Sequence, residues 1–159
     1  MYLIEIDGRE VGITFSACHM VPEHKKCERL HGHNYVVSVK IFAEKLDNYG
    51  FVIDFSIIKK VLRDVAKLFD HKIILPTLSK RYKIKKDGKN IYVKVNEKEY
   101  MFPEEDVIMV NIENPSAEGL ASYMAEKISS KLKSYKNIKS VEVKIEELPG
   151  QSASYRVAL

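Results

Sequence analysis

Disulfide potential is nearly absent: the 159 residues include only two cysteines, Cys18 and Cys27. That scarcity excludes a cystine-stapled scaffold and sets the expected localisation in the reducing cytoplasm. Cys27 is expected as a reactive thiol, although sequence leaves a Cys18–Cys27 bridge open. Long hydrophobic runs are missing too. No stretch approaches the roughly 20 apolar residues of a membrane helix. The N-terminus lacks the basic-then-apolar pattern of a secretory leader, so no membrane partner is expected. Proline (five) and glycine (seven) are sparse and low-complexity tracts are absent, which excludes a disordered or fibrous chain. Glutamine occurs once while lysine and isoleucine abound, a composition that suits a thermophile. The net charge is only +4. Lysines gather at 80–89 and 127–139, without a reader motif or aromatic–basic interleaving, so no nucleic-acid partner is expected. They read as solvated faces, although basic groups near a pocket mouth also suit a polyanionic substrate. What remains is 45% hydrophobic and 30% charged, in a length that gives one domain with a sizeable core.

Histidine is scarce as well, five in all, yet three stand together in Ser16-Ala17-Cys18-His19 and Cys27-Glu28-Arg29-Leu30-His31-Gly32-His33. On a strand, His31 and His33 share a face because side chains alternate with period two. Gly32 between them admits close approach by another backbone or a ligand. His19 extends the face of Ile13, Phe15 and Ala17, and a hairpin return would bring it beside the pair. Three neutral imidazoles with an open fourth position describe a catalytic zinc site. Spacing alone also allows ordinary hydrogen-bonded histidines, since no compact motif ties His19 to the others.

The remaining elements follow from pattern. Residues 2–6 read as a strand, Asp7-Gly8 as a turn, and 32–42 as a long β-branched strand paired with the one before it. Met20 to Lys26 reads as a mobile or substrate-covering loop. Asp54 or Ser56 caps a helix running to about Phe69, with a stripe of Ile57, Ile58, Val61, Leu62, Val65 and Leu68. Asp70-His71-Lys72 falls at its exit, where cations suit the helix C-terminus. Residues 82–85, 91–95 and 99–102 alternate as a meander too short for its own core, followed by a core strand, 107–110. Asn114-Pro115-Ser116-Ala117-Glu118 opens a second helix, with Asn114 as cap and proline at the first position. A closing hairpin carries Val141, Val143 and Ile145 inward, and Glu147 continues that parity; a carboxylate there must be paired or bind something.

Phe15-Ser16-Ala17-Cys18-His19 followed by Cys27-x-x-x-His31-Gly32-His33 resembles the active-site signature of the 6-pyruvoyltetrahydropterin synthase family, and its spacer resembles the 6-carboxytetrahydropterin branch. Gly50 to Phe55, Phe69-Asp70-His71-Lys72, Glu113 to Glu118, and Val143 to Glu147 with Tyr155 continue the likeness in the family's order. The resemblance implies an α+β tunnelling fold, an antiparallel sheet with two helices on one face. Subunits of that fold join edge to edge into a barrel, a homohexamer of two stacked trimers with interface active sites. It implies one domain, 1–159, with an inserted β-meander at about 80–102. It implies a zinc-dependent lyase on 7,8-dihydroneopterin triphosphate, giving 6-carboxy-5,6,7,8-tetrahydropterin, a queuosine or archaeosine precursor, or a 6-pyruvoyl product. In those terms His19, His31 and His33 hold Zn2+ and Cys27 is the general base. Asp70 and His71 form a second relay from the neighbouring subunit. Glu147 binds the pterin edge, and Ser116 and Glu118 line the pocket. Two features depart from the pattern. The segment from about Ser79 to Met109 is longer than the family's. Glu28 stands where members lacking the cysteine carry a glutamate and make 6-hydroxymethyl-7,8-dihydropterin, so that product is the alternative. A non-catalytic pterin-binding barrel is the reading from another class.

Overall fold

In the computed structural model, which describes residues 1–159, the patterns above resolve into ten strands and two helices. The strands of the main sheet are β1 (Tyr2–Ile6), β2 (Thr14–His19), β3 (His31–Ala43), β4 (Lys72–Pro76), β8 (Val107–Val110), β9 (Ile138–Leu148) and β10 (Gln151–Ala158). A separate sheet holds β5 (Tyr82–Asp87), β6 (Asn90–Val95) and β7 (Lys98–Pro103). Helix α1 spans Phe55–Lys67 and α2 spans Ala117–Leu132.

The main sheet runs β10-β9-β3-β2-β4-β8, with β1 on the second half of β3. Its β10-β9-β3-β2 part is antiparallel, as the hairpin patterns require. Beyond β2 the pairing turns parallel, β2 with β4 and β4 with β8. The sheet is therefore mixed where a wholly antiparallel one was expected. The reason is connectivity: Lys72–Pro76 returns from α1 antiparallel to β3, the strand before that helix, and takes the edge of β2, which is itself antiparallel to β3, so β2 and β4 run the same way. That short strand had no alternation of its own to reveal it.

Both helices cover one face. Tyr35, Val37, Val39 and Ile41 from β3, Phe15 and Ala17 from β2, and Val141, Val143 and Ile145 from β9 join Ile58 and Leu62 of α1 and Leu120, Met124 and Ile128 of α2 in one cluster of 30 buried residues. Asp54 caps α1, its carboxylate accepting from the Ser56 N–H at 2.6 Å. The buried stripe of α1 is narrower than expected: Ile58, Leu62, Val65 and Ala66 are inside, whereas Ile57 and Leu68 are exposed because they lie off that line. At α2 the cap is Ser116, not Asn114; its extended backbone and hydroxyl reach the Gly119 N–H at 3.3 Å, which leaves Pro115 ahead of the helix. The opposite face of the sheet is polar, with Arg9 paired to Glu146 and Arg156 to Glu142.

The β5–β7 sheet does not stand alone. Tyr82, Ile91, Val93 and Val95 bury their side chains with Leu75 and Met20. Met20, at the head of the loop between β2 and β3, is fully buried there, so the loop begins anchored and not free.

Candidate active site

The β2–β3 register pairs His19 with His31 and Ala17 with His33, which puts all three imidazoles on the helix-side face at one end of the core. On the neighbouring strand Val37 pairs with Ile145, so Glu147 lies two residues further toward the same end. One ligand atom from each of His19, His31, His33 and Glu147 falls within 4.8 Å of the others. Gly32 permits this crossing. A Cβ there would stand 3.0 Å from the Ala17 carbonyl oxygen and 3.2 Å from the Cys18 sulfur.

Backbone carbonyls fix the tautomers. His19 Nδ1 donates to the Pro115 carbonyl at 2.5 Å, and His31 Nδ1 donates to the Arg29 carbonyl at 2.7 Å. A neutral imidazole with its proton on Nδ1 presents a lone pair at Nε2. The two Nε2 atoms are 3.1 Å apart, so two lone pairs face one another. Burial holds the His19 imidazolium below its ordinary value, against the opposing pull of the Pro115 bond, and burial likewise holds His33 down against Glu147. Protonating His19 or His33 is therefore a poor remedy. His33 Nε2 is 2.6 Å from Glu147 Oε1 yet lacks hydrogen-bond geometry, and it is a buried polar atom without a partner. A cation resolves all of this at once. Nitrogens about 2.0–2.1 Å from a tetrahedral zinc stand roughly 3.3 Å from each other, and imidazoles whose far nitrogens donate to carbonyls are oriented as metal ligands are. The donor set fits the ion.

Cys27 occupies a 3-10 turn, Lys25–Glu28, in the loop between β2 and β3. Its N–H donates to the His24 carbonyl at 2.9 Å and its carbonyl accepts from Val21 at 2.7 Å; its half-buried thiol is free, as is that of Cys18. Glu28 turns elsewhere, 3.5 Å from Lys98 Nζ on β7. Ser116 and Glu118 stand on the α2 turn that the Pro115 carbonyl joins to His19; the Ser116 hydroxyl is spent on its cap and Glu118 is exposed.

Asp70 and His71 are not brought to the cluster. Asp70 Oδ1 accepts the Ser16 N–H at 2.9 Å and the His71 N–H donates to the Ser16 carbonyl at 2.7 Å, clamping the α1 exit to β2. Those bonds, with His71 beside it, hold the Asp70 carboxyl below the usual carboxylate range. His71 adopts φ +58°, a left-handed conformation that surrounding contacts must enforce. Its Nδ1 lies 3.0 Å from Asp70 Oδ2 while the ring is 83% exposed. It borders a cleft of about 650 Å³ with Ser16, Cys18, Gly32, His33, Asn34 and Lys72. Ser16, Cys18 and Asn34 have the opposite parity to the histidines, so this cleft opens mainly on the other face of β2 and β3, with His33 also at its border.

The orienting carbonyls of Arg29 and Pro115 had no sequence signal, since any residue supplies a carbonyl. The Lys98–Glu28 and Tyr82–Met20 contacts were equally silent, joining segments about 60–70 residues apart.

The whole chain finds relatives. A Methanocaldococcus jannaschii protein provisionally named 6-carboxy-5,6,7,8-tetrahydropterin synthase is 40% identical over 156 residues, covering 97% of this chain and 96% of that one. A Rickettsia conorii 6-carboxy-5,6,7,8-tetrahydropterin synthase is 35% identical over 139 residues, 86% of this chain and 91% of its own. Among solved structures, the Plasmodium vivax 6-pyruvoyltetrahydropterin synthase superposes with a TM-score of 0.89 at 29% identity, covering 99% and 98% of the two chains. That enzyme has also been solved with a catalytic glutamate replaced by alanine and by cysteine. The 6-pyruvoyl tetrahydropterin synthase profile matches residues 10–158. With nearly every residue inside that match, the chain belongs to the 6-pyruvoyl tetrahydropterin synthase family, whose members are lyases.

Proposed function

We propose that this chain is a zinc-dependent cytoplasmic lyase that converts 7,8-dihydroneopterin triphosphate to 6-carboxy-5,6,7,8-tetrahydropterin, by way of a 6-pyruvoyl-type product. The carrying observation is the pair of Nε2 lone pairs of His19 and His31 set 3.1 Å apart, with the orphaned His33 Nε2 beside them. The names of the two 6-carboxytetrahydropterin synthase relatives support the product.

His19, His31 and His33 hold the ion, which when bound polarises and acidifies the side-chain hydroxyls of the substrate. Glu147, 28% exposed at the rim of the cluster, accepts the amidine-like N–H edge of the pterin in two parallel bonds. Ser116 and Glu118 border that edge. Cys27, as thiolate, removes a proton from the side-chain carbon next to the ring. The C–O bond to triphosphate breaks, the leaving group takes its electron pair, and the product tautomerises, moving two hydrogens onto the ring. Water then cleaves the bond between the two carbonyl carbons, leaving a carboxylate on the ring and releasing acetaldehyde. Asp70 and His71 supply the second proton relay. Their exposure, and their place across the sheet from the histidines, suit delivery into the site of a neighbouring copy in a homohexamer.

A second reading rests on the Plasmodium vivax structures, where a glutamate is catalytic. Glu28 adjoins Cys27 and could take the C2′ hydroxyl proton instead. The C1′–C2′ bond then breaks, C1′ gains a proton as 6-hydroxymethyl-7,8-dihydropterin, and glycolaldehyde triphosphate leaves. Mass spectrometry of the products, with Cys27→Ala and Glu28→Ala variants, tests both. Loss of the carboxy product in Cys27→Ala supports the first reading. Undiminished turnover in that variant sinks it, and zinc retained with no turnover at all would favour the non-catalytic pterin-binding reading.

A further inference from the structure

The β5–β7 sheet takes no part in the chemistry above, yet it and Arg81, the residue leading into it, grip the loop that carries Cys27 and Glu28 at three places. At the loop's start, the buried Tyr82 hydroxyl donates to the Met20 carbonyl at 2.5 Å, and Met20 packs among Ile91, Val93 and Val95. In its middle, Arg81 Nε lies 3.3 Å from Glu23 Oε2. At its end, Lys98 Nζ lies 3.5 Å from Glu28 Oε1. Between these ties the backbone takes positive φ at two residues other than glycine, Glu23 (64°) and Lys25 (49°). Such conformations persist only where the surroundings impose them. The loop is thus set from outside, by a sheet that contributes nothing to the histidine cluster. Cys27 and Glu28 are neighbours on one turn, so the same outside contacts decide which of the two side chains is available. Neither side chain belongs to the histidine–Glu147 group; what separates them is that Glu28's carboxylate is engaged by Lys98, whereas the thiol of Cys27 is free.

We propose that Lys98 is a specificity-determining residue: it ties the Glu28 carboxylate to the start of β7, withholds it from the substrate, and so leaves Cys27 as the working base. The proposal deepens the reading of Cys27 and Glu28 given above and rests on it. Lys98 acts through Glu28 and is a positioning residue, and the β5–β7 sheet is the brace that keeps the loop in this setting.

Both members of the pair are partly exposed, which limits the bias to roughly fivefold. The test uses the zinc-loaded full chain with saturating 7,8-dihydroneopterin triphosphate and mass-spectrometric measurement of both products. Lys98→Ala should raise the 6-hydroxymethyl product's share about three- to fivefold. Lys98→Glu should raise it at least as far, and Lys98→Arg should restore the original ratio. Adding Glu28→Gln to Lys98→Ala should return the ratio to that of the unaltered chain, which a merely structural role for Lys98 would not do. In the metal-free protein, amide exchange over residues 21–28 should quicken in Lys98→Ala while α2 is unaffected. An unchanged product ratio and unchanged exchange in Lys98→Ala and Lys98→Glu, in an enzyme that still depends on Cys27, overturns this proposal alone. Turnover indifferent to both Cys27→Ala and Glu28→Ala overturns the underlying reading and this proposal with it.

Discussion

Removing one oxygen atom at Tyr82 probes the join between the two sheets. The Tyr82 ring is 6% exposed and its hydroxyl donates to the carbonyl of Met20, which is fully buried. In Tyr82→Phe the ring packing stays, but the Met20 carbonyl loses its only side-chain donor in a place water does not reach. Stranding a buried acceptor costs about 1–3 kcal/mol, more than the net worth of an ordinary bond, because desolvation is no longer offset. For a chain of this size each kcal/mol lowers the thermal midpoint by about 2–4 °C, so a drop of roughly 2–12 °C is expected. Urea unfolding should show a lower midpoint with an unchanged slope. Hydrogen exchange should place the loosening in the 20–28 loop, at the Val21 and Cys27 amides that close it. A midpoint within 1 °C of the unaltered chain would refute the reasoning, since it would mean that the carbonyl finds water and the loop is not held there.

Ser116→Ala should cost about 1 kcal/mol in urea unfolding through loss of the α2 cap, whereas Asn114→Ala should cost distinctly less. Leu62→Ala, at a fully buried position of α1, should cost about 2–5 kcal/mol by the same measurement. Asp70 gives a pH signature. Its folded carboxyl is held below the unfolded value by the Ser16 N–H and by His71. Its stabilisation is therefore present above the unfolded value of about 3.9 and is lost as pH falls through the folded one. Asp70→Asn should accordingly be destabilising at pH 6 and indistinguishable from the unaltered chain once both carboxyl forms are protonated, as read by urea midpoints across pH.

Local pattern reached far into this structure where one face was buried and one was wet. The parity of Phe15, Ala17 and His19 set that first histidine on the core side, and the β3 alternation from His33 to Ile41 did the same for the pair. Glu147 continued the buried parity of Val141, Val143 and Ile145 and duly arrived at the histidines. Pattern failed where the deciding partner was distant in sequence. The Lys72–Pro76 strand is set by its parallel neighbours, and long-range pairing leaves no local trace. The Met20–Lys26 loop looked free because its anchor, Tyr82, lies 62 residues away. At α2, Asn114 and Ser116 are both good caps, and only the backbone geometry chose the serine. The carbonyls that orient His19 and His31 carry no side-chain signature at all.

X-ray absorption at the zinc edge, on protein loaded with one equivalent of zinc, asks what surrounds the ion. The expected spectrum has three imidazole nitrogens at about 2.0–2.1 Å with a light fourth atom and no sulfur. A sulfur shell near 2.3 Å, or fewer than two imidazoles, would contradict a site built from His19, His31 and His33.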